Sequence, residues 1–416
     1  MRALRKDGRI LIYSHDTFGL GHLRRCRTIA HALVERYKQL SVLILSGSPI
    51  IGSFDFRSRV DFVRVPGVIK LRNGDYTPLN LHIDIGETLS MRASIIQHTA
   101  EMFDPDLFIV DKEPVGLRGE VLPTLKALKR RGTRLVLGLR DVMDEPRLLE
   151  PEWQRKKALP ALREFYDEIW VYGLPQICDP LEGIALPPRV RQKMVYTGYL
   201  HREVPTHGTP AMLPEITQRP YLLVTTGGGG DGDALIDWVL RAYEHDPLLP
   251  YPALLVLGPF MQAERQAEFM DRAAKLKRVQ AITFHNQMET LVAGAAGVVA
   301  MGGYNTFCEV ISLDKRALIV PRTEPRLEQY IRASRAAKLG LVSMLRDDGV
   351  YDPAVMAAAL RALPRQNRPS DVVVPGLLEG LTNVSRLVAP WIEPSEEATI
   401  PARALSRIPR PISRIH

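Results

Sequence analysis

The sequence is poor in cysteine. Cys26, Cys178 and Cys308 stand far apart among 416 residues, with no C-x-x-C spacing between them. That argues against a structural zinc site or a disulfide framework and fits a reducing cytoplasm. Long apolar runs are missing too. The longest nearly uncharged stretch, Thr290 to Tyr304, falls short of the ~18 residues a membrane-spanning helix needs. The apolar run Ile10 to Tyr13 meets His15 and Asp16 at once, so no secretory signal is expected. Aromatics are 7% of the chain and are not interleaved with a basic stripe, which speaks against a nucleic-acid partner. A further absence concerns cofactors. After the first apolar strand comes Gly19-x-Gly21, but Arg24 stands where a dinucleotide fingerprint has its third glycine. The second strand, Ser41 to Leu45, ends without an acidic residue. NAD and FAD are therefore rejected as ligands.

What is present is an alternation of apolar strands, Gly-containing loops and helices. With 45% apolar and 25% charged residues, the chain has material for about two domains. The first half reads as strand Arg9–Tyr13, loop 14–22, helix 23–37 and strand Ser41–Leu45, a βαβ unit of a parallel sheet. Strands follow at Leu107–Asp111, Arg134–Leu139, Glu168–Tyr172 and Val195–Thr197, with a helix expected over 151–166. The second half restarts with strand Tyr221–Thr226 and four glycines, 227–230. We expect an α/β protein of two Rossmann-like parallel-sheet domains facing a cleft. The expected boundaries are 1–203, a linker at 204–219, 220–390, and a basic tail over 391–416. The tail carries Arg403, Arg407, Arg410 and Arg414 without an acid, and supplies part of the net charge of +8. Such a tail is either disordered or in peripheral contact with an anionic membrane at its inner face.

The densest chemistry lies between Gly297 and Gln329. A buried-type strand, Gly297–Met301, leads into Gly302-Gly303, and a short helix is expected over Thr306–Leu313 with Asn305 as its N-cap. Strand, glycine pair and helix start direct free backbone N–H groups at a phosphate. Glu309 is placed either to accept from a ribose diol or to answer the helix dipole. Glu328 and Gln329 follow the next strand, on the side of a sugar. Gly227, Gly228 and Gly229 offer a second concave anion site. Asp231-Gly232-Asp233 is read as the cap of a helix starting at Ala234 rather than a metal-holding pair, and no essential metal is expected.

On the other half, His22 follows Gly19 and Gly21 at a sheet's carboxyl edge, where open α/β sheets place ligands. Its near-neutral unperturbed pKa suits a general base. Asp111 ends its strand on the same edge, to orient His22, to act as base itself, or to cap a turn. Arg24 and Arg25 either steer an anionic acceptor or are solvated.

Residues 293–340 resemble the donor-site segment of bacterial GT-B glycosyltransferases, in particular the family-28-like group that forms lipid II from UDP-N-acetylglucosamine. That resemblance implies Glu309 on ribose, Glu328 and Gln329 on the donor sugar, and Gly302, Gly303, Tyr304, Asn305 and Thr306 along the diphosphate. It also implies Phe284 and His285 beside the base and Arg202, after Thr197-Gly198, on the diphosphate. The Gly-Leu-Gly-His-Leu-Arg-Arg-Cys run at 19–26 is closer to the UDP-sugar hydrolases of pseudaminic acid synthesis, whose matching His serves as base. Gly19, Gly21 and Arg25 then belong to the acceptor-side loop. The implied activity is inverting transfer of a hexose or hexosamine from a UDP-sugar co-substrate, with no further cofactor. The acceptor is a lipid-linked sugar, a polysaccharide or a small molecule. Hydrolysis or epimerisation of a nucleotide sugar, or binding without catalysis, are the alternatives.

Overall fold

The computed structural model describes residues 7–15, 21–71, 75–205, 212–228, 230–347 and 349–392. Gly19, Gly229 and nearly all of the basic tail lie outside the described residues. Two parallel sheets organise the chain. The first is built from β1 (Gly8–Ser14), β2 (Leu40–Ser46) and β3 (Val60–Arg64). A separate antiparallel hairpin, β4 (Val68–Lys70) with β5 (Tyr76–Pro78), interrupts it. β6 (Leu107–Asp111), β7 (Arg134–Arg140), β8 (Glu168–Tyr172) and β9 (Met194–Tyr196) complete the sheet. Its order is β3-β2-β1-β6-β7-β8-β9. The second sheet takes β10 (Leu222–Thr225), β11 (Ala253–Val256), β12 (Val279–Ile282), β13 (Gly297–Ala300), β14 (Ala317–Ile319) and β15 (Ser343–Met344), in the order β12-β11-β10-β13-β14-β15. Central strands such as β6 and β13 are buried along their whole length, which is why they read as unbroken apolar runs rather than alternating ones.

In each sheet the strand order reverses once, between β1 and β6 and between β10 and β13. Open α/β sheets bind ligands beyond the carboxyl ends of such strands. The start of the helix at Gly21 and the carboxylate of Asp111 stand at one reversal. The turns at Gly227 and at Gly302-Gly303 stand at the other.

The last helix, Gly380–Ile392, corrects the expected outline. The expected boundaries put residues 380–390 in the second domain and 391–392 in the tail, yet the helix packs on helix Gly21–Arg36 and β1 of the first sheet. Trp391 stacks on Trp170 of β8 at 6.1 Å, and the Tyr37 hydroxyl donates to the Ser385 carbonyl at 2.7 Å. The return needs close backbone passage. A Cβ on Gly198 would stand 2.4 Å from the Gly376 carbonyl oxygen. The helix expected over 151–166 is two, Pro146–Arg155 and Ala158–Glu164, because Lys157 takes a left-handed conformation at φ 53°.

Two expected caps are also corrected. Helix Tyr304–Ser312 starts one residue before Asn305, with Gly303 at its N-cap. The Asn305 side chain instead spans the cleft, donating to the Gly21 carbonyl at 2.9 Å and accepting from Arg202 at 2.7 Å. Helix Asp233–His245 likewise starts on Gly232 without a side-chain cap. Asp231 pairs with Arg322, and Asp233 with Arg265 at 3.2 Å. An arginine neighbour satisfies each of these carboxylates better than a short turn would.

Candidate active site

A cavity of about 260 Å³ opens between the two sheets. Gly21, His22, Arg24 and Arg25 enter it from the first half. Gly227, Gly228, Gly302, Gly303, Tyr304, Asn305, Thr306 and Glu309 enter it from the second, with Phe284, His285, Glu328 and Gln329. Most residues singled out in the sequence are thus brought together around one space. Asp111 stands behind His22, 2% exposed. Arg202 is the exception in position. It is buried outside the cavity lining, its guanidinium on Asn305 and, at 3.5 Å, on the Arg24 carbonyl. It therefore meets the site through Asn305 and the Arg24 backbone.

His22 sits in the first turn of helix Gly21–Arg36. Its Nδ1 lies 2.5 Å from Asp111 Oδ2. Arg25 grips the same carboxylate with two hydrogen bonds, Nε to Oδ1 and Nη2 to Oδ2, both 2.7 Å. Burial would raise the Asp111 carboxyl, but the charge of Arg25 and the hydrogen bonds donated by His22 and Arg25 overcome it and hold Asp111 ionised below the usual carboxylate range. An ionised carboxylate only accepts, so Nδ1 of His22 is the donor and Nε2 keeps its lone pair. Burial lowers the His22 pKa, with Asp111 opposing, so the imidazole is neutral at pH 7.

Facing it, Gly302 turns the chain at φ +82°, where a Cβ would stand 2.7 Å from Ile319 Cγ2. Tyr304 then starts a helix whose first N–H groups have no partner within the helix. Below this turn, Arg332 binds Asp141 through Nε and Nη2, both at 2.7 Å, and donates to the Gly302 carbonyl at 2.9 Å. Tyr199 adds a hydrogen bond to Asp141 at 2.7 Å. Arg332 and Asp141 are both fully buried, so this pair ties the glycine turn to the end of β7.

Further ion pairs cross the cleft at the carboxylates singled out for the donor. Arg24 Nη2 donates to Glu309 and, at 2.8 Å, to Glu289. Burial raises the Glu309 pKa, Arg24 opposing and Glu289 adding to the rise. Arg140 holds Glu328 with both Nη atoms, one at 3.0 Å. Burial would raise Glu328, but Arg140 first, then Arg332 and Lys112, bring it down to about 2. The Gln329 side chain accepts from the Arg322 backbone N–H at 3.2 Å.

Arg140 and Arg322 were not singled out from sequence. Arg140 ends β7 on the same carboxyl edge as Asp111, and that position is the signal that finds it. Among the described residues, no group of three or more metal-ligating side chains converges, and no helix is long and apolar enough to cross a membrane.

Residues 222–368 match the family model of the glycosyltransferase family 28 C-terminal domain. No curated protein sequence matches the chain significantly. Among solved structures, UGT2 of Phytolacca americana, complexed with UDP-2fluoro-glucose and pterostilbene, superposes with a TM-score of 0.63 at 14% identity, over 93% of this chain and 100% of that one. The calicheamicin glycosyltransferase CalG4 gives 0.54 at 15% identity, over 96% and 97%. MurG of Acinetobacter baumannii gives 0.52 at 13%, over 92% and 99%. At such identities the likeness is one of fold. The chain has the GT-B fold and resembles the family 28 glycosyltransferases. The family-model match over 222–368 supports glycosyl transfer as its general activity.

Proposed function

We propose that the protein transfers a hexose or hexosamine from a UDP-sugar to an acceptor hydroxyl with inversion, in the cytoplasm. The observation that carries this reading is the His22–Asp111 contact of 2.5 Å on one wall of a cavity whose opposite wall is the Gly302-Gly303 turn. Nε2 of His22 would take the proton of the acceptor hydroxyl. The acceptor oxygen attacks C1 of the sugar from the face opposite the diphosphate. The C1–O bond to the diphosphate breaks, and its electron pair leaves with UDP. Backbone N–H groups at Gly303 and Tyr304, with the start of their helix, meet the charge that develops there. Those amides and the surrounding arginines supply the positive end, so the reading needs no metal.

Glu309 would take the ribose hydroxyls, and Glu328 with Gln329 the sugar. Phe284 would flank the base beside His285, whose Nε2 is buried without a partner among the described residues. Incubation with a panel of UDP-sugars tests the reading. UDP should be released in step with glycosylation of an acceptor, and His22→Ala should abolish the transfer while leaving UDP binding intact. Release that is equally fast without any acceptor makes water the nucleophile and the protein a hydrolase. Tight binding with no turnover, unchanged in His22→Ala, makes it a non-catalytic binder.

A further inference from the structure

Arg24 has no individual role in the mechanism above. It stands one turn into helix Gly21–Arg36, at the cavity wall facing Gly302, Gly303 and Thr306. Its Nη2 serves two carboxylates of the other half at once, Glu309 and Glu289. Glu309 is buried and Glu289 half-buried, and the two carboxylates share this one guanidinium, with Arg202 adding positive charge from further off, at the place where a nucleoside diphosphate would bring more negative charge. A diphosphate is tolerated there only if a cation turns toward it. The oxygen of Glu309 that Arg24 occupies is also one that a ribose diol needs. Two hydroxyl groups can replace a guanidinium N–H on a carboxylate, since both are donors.

Resting on the UDP-sugar reading, we propose that Arg24 is a diphosphate ligand that exchanges partners: as the donor's ribose takes Glu309, the Arg24 guanidinium turns to the phosphate attached to that ribose. The geometry favours the swap. In a nucleoside diphosphate the diol and the α-phosphate belong to one sugar ring, so a group leaving the diol's carboxylate is already beside the phosphate. Glu289 keeps its own bond to Arg24 Nη2 and so orients the guanidinium through the exchange. The planar fork of an arginine then suits phosphate oxygens better than a point charge does. The carboxylate freed of its cation is offset by hydrogen bonds from the diol. Arg25 is not available for this part, since Asp111 already holds its Nε and Nη2.

Affinity for UDP and for uridine, measured by calorimetry on the wild type, Arg24→Gln and Arg24→Lys, tests the swap. Uridine carries the diol but no phosphate. In Arg24→Gln, UDP should weaken about 10- to 100-fold, the size of one charged hydrogen bond, while uridine binds as well or better because Glu309 is released. Arg24→Lys keeps the charge beside Glu309 and carries the test if Arg24→Gln does not fold. There the preference for UDP over uridine should still fall several-fold for want of the fork. If both ligands change by the same factor in the variants, or neither changes, Arg24 is a structural tie and the proposal is overturned while the donor-site reading stands. If the wild type binds neither UDP nor uridine, the UDP-sugar reading itself has failed and takes this proposal with it.

Discussion

Replacing Asp111 with asparagine probes the site where its parts are most tightly linked. The Asp111 carboxylate takes His22 Nδ1 at 2.5 Å and two bonds from Arg25 at 2.7 Å each. An asparagine has one oxygen and one NH₂ in their place. Arg25 is donor-only and claims the oxygen. The NH₂ is then left facing the imidazole, whose Nδ1 must accept and whose proton must sit on Nε2. That tautomer has no lone pair for the acceptor hydroxyl. General-base catalysis contributes about 10²–10⁴ in rate, or about 3–5 kcal/mol of barrier, and kcat should fall by that factor. The KM for the UDP-sugar should hold, because the Asp111 carboxylate is held by His22 and Arg25 and not by the groups assigned to the donor.

A continuous assay of UDP release, with circular dichroism to confirm folding, reads both constants. The pH profile adds a second discriminator. In the wild type the acid limb of kcat/KM should lie below the ~6.5 of free imidazole, because burial lowers His22. The Asp111 charge opposes that lowering, so in Asp111→Asn any residual limb should move to still lower pH. If Asp111 were itself the base, the limb would vanish altogether. Full kcat in Asp111→Asn, or a raised donor KM with kcat intact, would refute the assigned roles.

Other perturbations reach the scaffold. Asp141→Ala leaves Arg332 buried without its partner and should cost about 3–5 kcal/mol of stability, read as a lower urea midpoint; a midpoint within error of wild type would contradict the pairing. Gly302→Ala puts a Cβ at φ +82° and 2.7 Å from Ile319 Cγ2. It should destabilise by at least about 1–2 kcal/mol, with weaker UDP binding because the turn moves. For Glu328 the folded pKa of about 2 lies below the ~4.3 of an unfolded glutamate. Its contribution is therefore fully present above about pH 4.3 and lost as pH falls toward 2. The Tm difference between wild type and Glu328→Gln should be constant from pH 8 to 5 and narrow below about 4.3. A gap that instead shrinks on raising the pH has the wrong sign.

Much of this site was legible in the sequence because its parts are local. A glycine pair after an apolar strand, and a histidine after Gly-x-Gly, sit within ten residues of the strands that place them. The strand ends then put Asp111 on the same edge as His22. What the sequence did not yield are partnerships made across the cleft. Arg24 with Glu309, Arg140 with Glu328 and Arg332 with Asp141 each join residues from opposite halves. No period or motif encodes the relative placement of two sheets. Asn305 was misread for the same reason. Its local context asks for a helix cap, but the Gly21 carbonyl and Arg202 compete for its amide and win. The return of helix Gly380–Ile392 to the first sheet was hidden because its apolar face fits either half equally well by composition.

That return has a mechanical consequence. The polypeptide passes from one lobe to the other after β9 and passes back before Gly380, so two strands of backbone, not one, bridge the lobes. A single tether permits swivelling in every direction, whereas a pair of them defines a line. Two bridges restrict twisting of one lobe on the other more than one would, and so help keep His22 in register with the glycine turn.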